Sequence, residues 1–141
     1  MSVSAALAYR WDGTRSRLFF QTTPDNYNTD KLIAFLKHVK RELRGQPCIV
    51  IWDGLPAHKS KHMNVYLAEQ RDWLHVERLP GYAPDLNPVE AVWGNVKGQE
   101  LANLCAKDLG ESARALRRGM VRVRRRRELG FSFLHHAGLF F

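Results

Sequence analysis

Val3, Ala5, Leu7 and Tyr9 alternate with Ser2, Ser4, Ala6 and Ala8, a period of two that predicts a strand over residues 2–10. Asp12-Gly13 follows and is a strong hairpin signal, because glycine accepts the positive φ of a tight turn. Residues 16–22 are the expected returning strand, centred on Leu18, Phe19 and Phe20 and broken by Thr23-Pro24-Asp25-Asn26. The period then lengthens. Leu32, Leu36, Val39 and Leu43 recur at helical spacing, with Lys31, Lys37, Lys40 and Arg41 mostly outside. This predicts a helix over about 30–43, capped by Asn28 or Thr29 and stopped by Gly45 and Pro47. Cys48-Ile49-Val50-Ile51-Trp52 is a short unbroken apolar run, as expected for a strand covered on both faces. Ser60 is the expected cap of a helix over about 61–71, with Met63, Tyr66 and Leu67 inward. Residues 74–79 read as a further strand.

Residues 79–97, LPGYAPDLNPVEAVWGNVK, read as a strand exit, a loop and a helix start. Pro80, Pro84 and Pro88 exclude regular structure up to the last of them. Asn87 suits the N-cap and Pro88 the first helical position, which puts Glu90 in the first turn. Val89, Val92, Trp93 and Val96 form an apolar stripe, with Glu90, Gly94 and Lys97 on an adjacent face, and the helix should run to about Leu101. Residues 108–126 predict one more helix, with Leu109, Ala113, Leu116, Met120 and Val123 on one side. Arg117, Arg118, Arg122 and residues 124–127 crowd its other sides, and Phe131-Ser132-Phe133-Leu134 is expected to fold back over apolar surface. The order of hairpin, helix and buried strand implies an α/β fold, a mixed sheet flanked by helices.

Composition narrows the class. A chain of 141 residues, 45% of them hydrophobic, is enough for one globular domain with a real core. No apolar run approaches the ~20 residues that span a bilayer. The N-terminus lacks the basic start and long apolar stretch of an export signal, so a cytoplasmic protein with Cys48 and Cys105 as free core thiols is expected. The formal charge is +8, and nine Lys/Arg against three Asp/Glu from Lys107 onward put +6 of it in that segment. A basic surface of this kind favours a polyanion, nucleic acid first, over the blander reading of a solvated helix face.

Two acids are candidates for chemistry. Asp53 closes the apolar strand, where the backbone fixes a carboxylate while water reaches its tip; an Asp-Gly turn residue is the structural alternative. Glu90 suits a helix-start ligand, and equally the Glu of a capping box. Hard cations such as magnesium take oxygens from one or two carboxylates and leave positions for phosphate. Asp85 is a rival acid, better placed to shape the turn. His58 and Lys59 read either as DNA-phosphate contacts or as a solvated approach to the next helix. His58 and His62 have zinc-ligand spacing but no third ligand in view. Trp52, Trp73 and Trp93 read as core rather than as base-stacking platforms.

The segments IVIWDGLPAHKS (49–60) and LPGYAPDLNPVEAVWGNVKGQEL (79–101) resemble the two signature blocks of the DDE transposases of bacterial insertion sequences, in the branch related to the mariner elements. The match runs through Trp52, Asp53, His58, Lys59, Leu79, Pro80, Tyr82, Pro84, Asp85, Leu86, Asn87, Pro88, Glu90, Trp93 and Lys97. The resemblance implies a ribonuclease-H-like fold and transposition by phosphodiester cleavage and strand transfer, with Mg2+ or Mn2+ held by two aspartates and a glutamate. Asp53 would be the second acid and Glu90 the third, both catalytic and metal-binding. His58, Lys59, Lys61, Lys97, Arg122, Arg124, Arg125 and Arg126 would meet DNA. Residues 1–106 would form the catalytic core, and residues 107–141 a basic helical extension packed on it. In the family the first aspartate lies on a strand before the opening hairpin, and Met1 stands at that hairpin. The first strand, the first acid and the helix-turn-helix regions that read the element's ends are therefore expected to be missing, and unaided catalysis is not expected. The implied partners are terminal-repeat and target DNA, a second copy, or the missing N-terminal part, with no membrane. The alternative is a remnant that binds DNA or a partner transposase without cutting.

Overall fold

The computed structural model describes residues 1–81 and 83–140, and within it the chain forms two compact units, one of residues 1–25 and 85–141 and the other of residues 26–84. Tyr82 of the second signature block lies outside the described residues.

The first unit opens with strands β1 (Ser2–Tyr9) and β2 (Ser16–Thr23), paired antiparallel with Leu7 opposite Leu18 and Ala5 opposite Phe20. Gly13 takes φ 71° in the hairpin, and Asp12 Oδ1 accepts from the Thr14 amide and hydroxyl. Val3, Ala5, Leu7 and Phe20 point one way because strand side chains alternate, and they pack on a core of Leu18, Val92, Val96, Met120, Val123 and Phe133. Helices α3 (Pro88–Val96), α4 (Leu109–Arg125) and α5 (Arg127–His136) supply that core. Between α3 and α4 the chain winds through a π-helical turn, Lys97–Leu101. The arginine run does not continue one helix: Arg126 leaves helical geometry at φ −96°, ψ 80°, and α5 begins after it. The return segment expected at 131–134 is part of α5, with Phe133 and Leu134 buried.

Helix α4 differs in detail from its predicted face. Leu109 is 80% exposed, while Ala115, Gly119, Met120 and Val123 are buried. Leu109 stands in the first turn, ahead of the stretch that meets the core. The buried stripe is centred on small residues because α4 packs closely there: a β-carbon on Gly119 would lie 2.7 Å from Val96 Cγ1.

The second unit contains α1 (Thr29–Glu42), β3 (Cys48–Trp52), α2 (Lys61–Glu69) and β4 (Leu74–Arg78). Asn28 caps α1 through the Lys31 amide, Ser60 caps α2 through the Met63 amide, and the Thr29 and Ser60 hydroxyls meet at 3.1 Å. β3 and β4 are parallel, with Ile49 beside His75 and Ile51 beside Glu77. The expectation that β3 is covered on both faces does not hold: Ile49 and Ile51 are 67% and 60% exposed. Their neighbours on that face, His75 and Glu77, are polar and hydrogen-bonded to each other at 2.9 Å, while Trp52 and Leu74 are buried on the other. Cys48 and Cys105 are free thiols, as expected, but they are not core residues, since Cys48 is half-buried and Cys105 exposed; burial pushes the Cys48 thiol up.

Candidate active site

Asp53 follows the last residue of β3, where the parallel pair delivers it at the strands' carboxyl ends, the usual place for ligands in α/β sheets. The Leu79 amide still donates to the Trp52 carbonyl at 2.8 Å, so the backbone is held up to the residue before Asp53. Asp53 Oδ1 accepts from the Leu55 amide at 3.1 Å, and His58 Nδ1, hydrogen-bonded to the Asp53 backbone carbonyl at 2.9 Å, also lies 2.9 Å from Oδ1. Oδ2 has no partner among the described residues, and the side chain is 51% exposed. A 3-10 turn, Pro56–His58, brings His58 back over the strand end. There its ring stacks on Trp52, centroids 4.3 Å apart and planes 4° from parallel.

In the other unit, Asn87 caps α3 by accepting from the Val89 amide at 3.2 Å, with Pro88 at the first helical position. Glu90 is exposed in the first turn. The reciprocal bond of a capping box, from the Asn87 amide to the Glu90 carboxylate, does not form among the described residues, and no other described group holds Glu90. Val92 and Val96 are buried on the core side of the helix.

Both acids offer hard oxygen donors, the chemistry that suits magnesium or manganese. No group of three or more His, Cys, Asp or Glu side chains suited to a metal ion occurs among the described residues. His62 is paired with Asp30 at 3.1 Å and His58 with Asp53, so their zinc-like spacing leads to no shared site there.

The residues expected to meet DNA fall into different settings. Lys59, Lys61, Lys97 and Arg125 are exposed, and no described group binds their charges. Arg124 lies over the Phe20 ring at 5.2 Å, and Arg126 pairs with Glu128 at 3.0 Å. His58 is turned toward Asp53. Arg122 is engaged inside the unit: Nη2 donates to Glu100 Oε2 at 2.9 Å and to Asn95 Oδ1 at 2.7 Å, and Nε donates to Glu100 Oε1. Glu100 therefore holds the Arg122 guanidinium more firmly charged than usual. Arg114 and Arg118, absent from the expected DNA-contact set, share with Arg125 one exposed edge of α4. Their spacing of four and then seven residues was the available signal.

The layout is that of a ribonuclease-H-like domain, the fold of transposase and integrase catalytic domains. Within that class the chain belongs to the DDE superfamily endonucleases, whose family pattern it matches over residues 4–111, a span that holds both Asp53 and Glu90. Its structure is similar to the catalytic domain of the Mos1 mariner transposase, at TM-score 0.53 and 14% identity over 99% of this chain and 83% of that one. It is likewise similar to the Mos1 transposase catalytic domain with raltegravir and manganese, at TM-score 0.51 and 15% identity over 99% and 84%. A third likeness is to a chain of the simian T-cell lymphotropic virus intasome in complex with the PP2A regulatory subunit B56 gamma, at TM-score 0.55 and 15% identity over 84% of this chain. This protein spans only 45% of that intasome chain. A sequence search of curated proteins finds no match. No helix among the described residues is long and apolar enough to cross a membrane.

Proposed function

We propose that this chain is the catalytic part of a bacterial insertion-sequence transposase, acting on the element's terminal repeats and on target DNA at the nucleoid. Asp53 and Glu90 supply carboxylate oxygens for Mg2+ or Mn2+. A cation bound to such carboxylate oxygens would act as a Lewis acid on phosphate oxygen and lower the pKa of attacking water or a DNA hydroxyl. Residues 1–106 serve as the catalytic core and residues 107–141 as its basic extension. Lys59, Lys61, Lys97, Arg124, Arg125 and Arg126 meet the DNA backbone by charge, while Arg122 is taken up by Glu100 and Asn95. The assembled enzyme pairs this chain with a second copy or with a preceding segment that brings a further acid.

The observation that carries this reading is the unspent Oδ2 of Asp53 at the carboxyl end of a parallel strand, within a family match that also holds Glu90. The test is nicking of supercoiled plasmid in Mg2+ or Mn2+ by the chain assembled with the partner that brings the further acid. Asp53→Ala and Glu90→Ala should each cost about 100-fold or more, the scale on which loss of one transition-state-stabilising group is felt. Equal nicking by wild type and both variants would remove these residues from the mechanism. The second reading is binding of DNA or a partner transposase without cleavage, favoured by the lack of a three-ligand cluster among the described residues. Salt-sensitive DNA binding with no nicking in either cation would select it.

A further inference from the structure

His58 was expected to face DNA, but its surroundings suit another task. Its Nδ1 lies 2.9 Å from the Asp53 carbonyl oxygen and 2.9 Å from Asp53 Oδ1. Both are acceptors, and an unprotonated ring nitrogen offers them nothing, so Nδ1 must carry the hydrogen. The ring cannot turn away freely, because it lies flat on Trp52, which is buried at the end of β3. The 3-10 turn fixes it from the backbone side, with the His58 amide donating to the Leu55 carbonyl at 2.9 Å. The Leu55 amide donates in turn to the same Oδ1. Oδ1 of Asp53 thus accepts from the Leu55 amide and lies against the His58 ring nitrogen, and Oδ2 remains for a ligand. The His58 side chain is only 14% exposed, a poor setting for a phosphate contact beside the exposed Lys59 and Lys61.

We infer that His58 is a positioning residue for Asp53: braced by the Trp52 ring, its Nδ1–H holds the Asp53 carbonyl and lies against Oδ1, leaving Oδ2 to a divalent cation. The inference rests on the reading of Asp53 as a cation ligand and adds the group that orients it. Outer partners of this kind commonly change metal affinity 10- to 100-fold.

Isosteres separate the two nitrogens. In His58→Asn the side-chain amide reaches where Nδ1 stands, and in His58→Gln it reaches where Nε2 stands. Mn2+ affinity of the full chain, read by electron paramagnetic resonance, should fall about tenfold or more in His58→Ala and His58→Gln and stay within about threefold of wild type in His58→Asn. The unmutated protein gives an independent check by 15N NMR at a pH where the imidazole is neutral, where His58 should be the Nδ1–H tautomer. His58→Asn as weak as His58→Ala, or His58→Gln as strong as wild type, would overturn the positioning role. So would a dominant Nε2–H tautomer. Unchanged Mn2+ affinity in all three variants, with weakened binding of duplex DNA, would return His58 to the nucleic-acid surface and also overturn it. Asp53→Ala tells the two levels apart. If it binds Mn2+ as wild type does, the cation-ligand reading fails and takes this inference with it. If it loses Mn2+ while His58 is the Nε2–H tautomer, only the positioning role fails.

Discussion

Tyr9 closes β1 with its phenol donating to the Gly130 carbonyl at 2.6 Å, and Ser16 across the hairpin donates to the Arg127 carbonyl at 2.7 Å. Two hydroxyls thereby tie the hairpin to the first turns of α5, and Gly130 lets the elements approach, since a β-carbon there would overlap the Ser16 hydroxyl. Burial pushes the Tyr9 phenol up to about 12 from 10.0. Between those values the unfolded chain releases a proton that the folded chain keeps, so this contribution is full below pH 10 and is lost as pH rises toward 12. Denaturant unfolding over pH 9 to 12 should show the decline, and Tyr9→Phe should lessen it; parallel curves for the two proteins would exclude Tyr9 as its source. At this scale the placing of Asp53 at a strand end and of Glu90 in a helix's first turn was legible in the sequence, because a strand end and a proline-opened helix are local signals. The positioning task of His58 was not, because it depends on a ring stack and a turn that spacing does not encode.

Helix α3 is held at both ends by different means, Asn87 at its start and the π-turn with Arg122 of α4 beyond its finish. Glu100, from the π-turn, and Asn95, from the last turn of α3, converge on one guanidinium. The Arg122 and Glu100 side chains are only 24% and 15% exposed, so removing one partner leaves the other poorly solvated. Arg122→Gln should cost about 3 kcal/mol, the scale for breaking a buried pair one-sidedly. The Arg122→Gln/Glu100→Gln double variant should be less destabilised than the two single losses added together, because no charge is then left unpaired. Additive losses in chemical denaturation would show that the pair is not coupled. The elements themselves were largely readable: each strand and helix expected from the periodicity occurs, because local propensity and pattern agree there. Two features were less readable. The open face of β3 is set by the polar alternation of its partner β4, and the inner stripe of α4 by the close approach that Gly119 permits. Arg122 was grouped with the DNA-contacting arginines because sequence displays a charge without the carboxylate that takes it up.

For the whole molecule the governing quantity is charge. Of the formal +8, +6 arises from Lys107 onward, and α4 displays part of it along an edge shared by Arg114, Arg118 and Arg125. A cation that neutralises a DNA phosphate releases a condensed counterion, so each such contact steepens the fall of affinity with salt by about one unit of log–log slope. If that edge tracks the DNA backbone, Arg118→Gln and Arg125→Gln should each weaken duplex binding almost uniformly across sequences and reduce the slope by about one. Arg122→Gln should leave the slope nearly unchanged, because its guanidinium is already neutralised by Glu100. Fluorescence anisotropy across a salt series measures all three, with circular dichroism to confirm that each variant is folded. A slope that falls with Arg122→Gln and stays put with Arg118→Gln and Arg125→Gln would move the nucleic-acid surface from that edge to the adjacent face that carries Arg122. Salt dependence thus distinguishes arginines that build the protein from arginines that meet its partner, a distinction that net charge alone does not make.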